Sequence, residues 1–95
     1  MRHESRARLA TPLAQRYLVA LCSHFTRKIR VEYTPDHGVA FFPQGECELS
    51  LAGDVLVLDC RADSEDALAS IERVLSLHMQ LFTRRVPVTL AWLRR

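Results

Sequence analysis

The sequence predicts an α+β protein: a two-layer sandwich with two helices packed on one face of a mostly antiparallel sheet, in the order β-α-β-β-β-β-α-β. Three observations lead there. Two long stretches repeat their apolar residues with helical period. Between them, four short segments of strand character follow one another across tight turns. A brief strand signal opens the chain and an edge-type strand closes it.

Each element has a local cause. Residues 4–9 alternate Ser5, Ala7 and Leu9 with Arg6 and Arg8, the period of a strand. Thr11 and Pro12 suit an N-cap and a first helical position, and helical pattern then runs to about Thr26. Strands follow at 29–33, 38–42, 46–51 and 55–60, separated by the turns TPDHG, PQG and AGD. In 46–51, Cys47, Leu49 and Leu51 share one face while Glu46, Glu48 and Ser50 share the other. Leu56, Leu58 and Cys60 share one side of 55–60, and Gly53 suits a tight hairpin because it can take positive φ. A second helix is read from 61–82, capped by Asp63 or Ser64, with acidic residues where they favour the dipole. The strand at 86–92 carries Pro87 near its start, as an edge strand tolerates.

The chain of 95 residues is one domain, 1–95, and its composition is that of a globular protein, 48% hydrophobic and 25% charged. A net charge of +2 does not suggest nucleic-acid or membrane binding. Phe41 and Phe42 are adjacent and so point to opposite sheet faces, which denies them the role of a base-stacking platform. A membrane span needs roughly 20 apolar residues in succession. No run in this chain approaches that length, and MRHESRARLATP has no apolar signal core. The cytoplasm is the expected location. Three cysteines at irregular spacing fit reduced core thiols better than a disulfide framework.

Chemistry concentrates at two histidines. At about 100° per residue, His24 falls among Leu13, Tyr17, Leu21 and Phe25, near the middle of that apolar arc. His78 falls likewise among Ile71, Val74, Leu75 and Phe82. Both imidazoles are therefore expected to face the sheet, where Cys47 and Cys60 point inward and Cys22 lies on the rim. Three readings follow: a structural core whose imidazoles bond to carbonyls, a metal site of His24, His78, Cys47 and Cys22 holding zinc or iron, and a Cys47 nucleophile activated by a histidine.

The segments RYLVALCSHFTRKIRVEY, FFPQGECEL, LSLHMQLFTRR and VTLAW together resemble a family of small bacterial proteins, domain-of-unknown-function family 2218, from about Ser5 to Trp92. The residues carrying the likeness are Tyr17, Leu18, Leu21, Cys22, His24, Phe25, Gly45, Cys47 and His78. Arg27 departs from it, standing where relatives carry a second histidine. The resemblance implies no activity. It implies a setting beside siderophore-handling reductases, and so tilts the metal reading toward iron.

The first functional expectation is therefore a non-enzymatic ligand- or metal-binding accessory module linked to iron or siderophore metabolism. Lys28 and Arg84 stand at its edge to meet an anion, although plain solvation accounts for them more simply. The alternative is a structural or interaction protein acting as a homodimer with no bound cofactor. Its interface would be an outer sheet face bearing Ala40, Phe42, Val55, Val57 and Leu93. An enzyme is the weaker reading. The three glycines all sit in turns, and no phosphate loop, oxyanion loop or paired-carboxylate motif accompanies the cysteines.

Overall fold

The computed structural model describes residues 2–83 and 90–94. Its elements are β1 (His3–Ala10), α1 (Ala14–Phe25), β2 (Arg30–Thr34), β3 (His37–Phe42), β4 (Gly45–Ala52), β5 (Val55–Ala62), α2 (Glu65–Phe82) and β6 (Leu93–Arg94). They form one six-stranded sheet in the order β2-β3-β4-β5-β1-β6, with every neighbouring pair antiparallel. Two helices cover one face of this open sheet, as the sequence predicts. Among the described residues no helix is long and apolar enough to cross a membrane.

The inner face is built in rows across the strands. One row runs Ser5, Cys60, Cys47, Ala40, and the next runs Ala7, Leu58, Leu49, Gly38. A third, Leu9, Leu56, Leu51, is all leucine. The small row is wholly covered, each member at most 2% exposed. Small side chains there let the helices press close, and the leucines of α1 and α2 fill the space above. Gly45 is the extreme case. A Cβ at that position would lie 2.3 Å from the Arg61 carbonyl and 2.9 Å from Ile71 Cδ1, so α2 can seat Ile71 there only over a bare backbone.

Turn and cap chemistry mostly follows expectation. Gly53, at φ 62°, closes the β4–β5 hairpin as the first residue of a two-residue loop. Ser64 is the cap of α2, its hydroxyl accepting from the Ala67 N–H at 3.1 Å. α1 begins later than the Thr11-Pro12 signal implies. Thr11 Oγ1 accepts from Leu13 N–H at 3.2 Å and its carbonyl accepts from Ala14 N–H, so one turn forms before the helix proper starts at Ala14.

Two expectations change. Ala40 and Phe42 face the helices, not the outer surface. Pro43 and Gln44 form a two-residue loop that pairs Phe42 with Gly45 and Ala40 with Cys47, so they share the inward face of Cys47. Val39 and Phe41 take the outer positions, where Phe41 lies opposite Arg30 with the guanidinium carbon 5.2 Å from its ring centroid. The final strand is Leu93–Arg94, one residue beyond the expected 86–92. Residues 90–92 are not strand, and 84–89 lie outside the described residues. Leu90 is buried, and the Trp92 indole N–H donates to Ser76 Oγ at 3.1 Å, pinning this approach to α2.

Candidate functional site

His24 and His78 do meet, but along the seam between the helices and not against the sheet. The buried face of α1 is Ala14, Leu18, Leu21, Cys22 and Phe25, and that of α2 is Leu68, Ile71, Glu72, Leu75 and Met79. Around the two helix axes the histidines lie about 100° and about 75° from the centres of those faces. Both imidazoles thus stand half-buried on the flanks that the two helices turn toward each other. Their ring centroids are 4.5 Å apart and their planes are inclined at 53°. Phe25 packs edge-on against His78 at 5.0 Å, and Phe82 against His24 at 6.4 Å.

One hydrogen bond sets the chemistry of the pair. His78 Nδ1 is 2.7 Å from the carbonyl of Val74, one helical turn earlier. A carbonyl has no proton to give, so Nδ1 is the protonated nitrogen and Nε2 of the neutral ring keeps its lone pair. Burial holds the pKa of His24 below its ordinary value, and the adjacent His78, Arg27 and Lys28 press it further the same way. His24 is therefore a neutral imidazole at pH 7.

The cysteines are elsewhere. Cys47 and Cys60 are directly opposed on β4 and β5, and Cys22 lies over Gly38, where an added Cβ would come within 2.7 Å of its sulfur. All three are completely buried. Burial pushes the Cys22 thiol up to about 11. Burial also raises the Cys47 thiol well above its ordinary range, with the Cys60 thiol and the Asp59 charge acting in the same direction. Such thiols stay protonated at neutral pH and make poor nucleophiles and poor ligands. Among the described residues no three His, Cys, Asp or Glu side chains converge to hold a metal ion. The expected four-residue set divides into an imidazole pair and a separate cluster of thiols.

Beside the imidazoles runs an apolar groove that the sequence reading missed. One cavity of about 270 Å³ lies between α2 and the β3–β4 turn, and a second of about 220 Å³ reaches from Val74 and His78 to Lys28. Phe42 and Val74 line both. The signal was the length of the Pro43-Gln44 loop, which sets the parity that turns Phe42 inward.

The fold and site thus define a small antiparallel two-layer protein with a pair of imidazoles in its helix seam. The chain belongs to the family described as uncharacterized proteins conserved in bacteria, DUF2218, which matches residues 6–93. It is similar to PA4090 from Pseudomonas aeruginosa, solved by NMR, with 32% identity over 97% of this chain and 94% of that one and a TM-score of 0.72. The comparison with curated proteins returned no match.

Proposed function

We propose that this protein is a non-enzymatic binding module that holds a divalent transition metal, iron or zinc, through His24 and His78. What carries this reading is the Nδ1–H of His78 donated to the Val74 carbonyl, which leaves Nε2 as the nitrogen with a lone pair to offer a metal, with the His24 ring centroid 4.5 Å away. Ligating histidines are commonly oriented by such a bond from the other ring nitrogen. Two imidazoles fill only part of a coordination sphere, so water or an anionic chelator completes it. That suits an accessory of iron or siderophore metabolism in the cytoplasm, with a siderophore-related reductase as its partner. The burial of all three thiols, with Cys22 and Cys47 raised by it, supports binding over catalysis.

The test is titration of untagged protein with Zn²⁺ and Fe²⁺, followed by imidazole proton resonances and by melting temperature. Saturable shifts of His24 and His78, with a raised melting temperature that His24→Gln and His78→Gln each abolish, are expected. Unmoved resonances and an unchanged melting temperature at millimolar metal would overturn the reading. The homodimer remains the second reading. It rests on the exposed Leu93 and Phe41, and has lost Ala40 and Phe42 from its proposed interface.

A further inference from the structure

We infer that the groove between α2 and the β3–β4 turn is a binding site for a small organic anion with an apolar body, held without any metal. The two cavities adjoin at Phe42 and Val74, and together they fall within the size range of ligand sites. Ala67, Ile71, Phe25 and Ile29 continue the walls, so the body of an occupant meets almost only carbon.

The ends differ in character, and that sets the class of ligand. At the α2 N-terminal end the groove closes on Pro43, Gln44 and Ser70, which are neutral. At the other end stands Lys28, with His78 on the wall and the charge of Arg27 close enough to bear on His24. Neither Lys28 nor Arg27 forms an ion pair among the described residues, a state they share with Arg8, Arg16 and Arg73, but of these five only Lys28 lines the groove. An apolar channel that ends on one unpaired ammonium, Lys28, complements a carboxylate on a hydrocarbon or aryl body. A neutral apolar molecule would gain nothing from that end, where Lys28 is exposed to water.

The experiment uses the full chain stripped of metal with EDTA, so that a failed metal titration and a failed groove titration are separate results. Octanoate and octanol are titrated while backbone amide resonances are followed. Saturable shifts centred on Phe42, Val74 and His78 are expected with octanoate, and markedly weaker binding with octanol. Lys28→Gln should weaken octanoate about threefold and leave octanol unchanged, as for one exposed charge contact. Ser70→Phe, at the rim of the groove, should fill it and abolish both while the remaining resonances stay in place. Shifts that do not saturate, that centre elsewhere, or that match for octanoate and octanol would each overturn the proposal. So would concentration-dependent broadening of the groove resonances without ligand, which would mark a second copy as the occupant.

Discussion

His24 and His78 face one another across the helix seam at 4.5 Å, and the closeness acts against a proton on His24. Burial is the larger cause of the lowered pKa, followed by His78, Arg27 and Lys28. A histidine whose folded pKa lies below its ordinary 6.5 binds its proton more readily in the unfolded chain. Its contribution to stability is complete above 6.5 and is lost as the pH falls toward the folded value. His24→Gln should therefore lose less melting temperature between pH 7.5 and pH 5.5 than the wild type does. Equal losses in paired thermal melts would refute the account.

The glycines of the sheet make a second prediction, because two of them are crowded for different reasons. At Gly45 a Cβ meets backbone, the Arg61 carbonyl at 2.3 Å, which cannot move aside without distorting β5. Gly45→Ala should cost about 3 kcal/mol or more in urea unfolding, the upper range of overpacking. At Gly38 the nearest atom is the Cys22 sulfur, which a second substitution can remove, although Tyr33 Cβ also lies at 2.9 Å. Gly38→Ala should cost about 1–3 kcal/mol, and Cys22→Ala in the same chain should recover part of it. A double mutant as unstable as the sum of the singles would show that the sulfur contact carries no coupling.

Thiol chemistry offers a third. With Cys22 pushed up to about 11 and all three sulfurs fully covered, neutral-pH labelling should proceed only as fast as the chain opens. Ellman titration at pH 7 should find no thiol in the native protein and three in urea. Prompt reaction of Cys47 in the native state would instead revive a nucleophilic role. Added Zn²⁺ should slow the labelling of all three cysteines together, as far as it suppresses opening, and should mask none of them singly, since no thiol joins the imidazoles in a metal-holding group among the described residues.

The legibility of this protein varies by element. Where one strand face is charged and the other apolar, as in Glu46 and Glu48 against Cys47 and Leu49, alternation alone identifies the core side. Gly53 is equally plain, because a positive φ favours glycine, whereas the α2 cap is narrowed only to Asp63 or Ser64, both good cap residues, until the structure gives it to Ser64. In β3 both faces are apolar, so parity had to come from the turn, and only counting Pro43-Gln44 as a two-residue loop turns Phe42 inward. The histidines failed differently. A helical wheel finds the apolar arc but not which part of it meets the sheet and which meets a neighbouring helix. His24 and His78 sit on the flanks that only the packed pair of helices defines. The groove was hidden for the same reason, being made by α2 and a hairpin that are distant in sequence.

The last prediction concerns the tie that holds β6 to the body. Arg94 Nη2 donates to Glu72 Oε1 at 2.9 Å and Nη1 to Glu65 Oε1 at 3.1 Å, bridging the edge strand to α2. Glu72 is 8% exposed and its second carboxylate oxygen has no partner among the described residues, so it depends on Arg94 for compensation. The Arg94 side chain is itself 39% exposed. Arg94→Leu should therefore destabilise the protein, but by less than the loss of a fully buried pair. Glu72→Leu places an apolar side chain among Leu68, Ile71 and Leu75 and removes the unpaired oxygen. The double substitution Glu72→Leu/Arg94→Leu should return to within about 1 kcal/mol of wild type, as when a buried ion pair is replaced by well-packed carbon. Amide exchange at Ser5 and Arg6, the residues of β1 paired with Arg94 and Leu93, should quicken in Arg94→Leu. If the double mutant is instead as unstable as Arg94→Leu, the arginine acts by holding β6 and the charge on Glu72 is incidental.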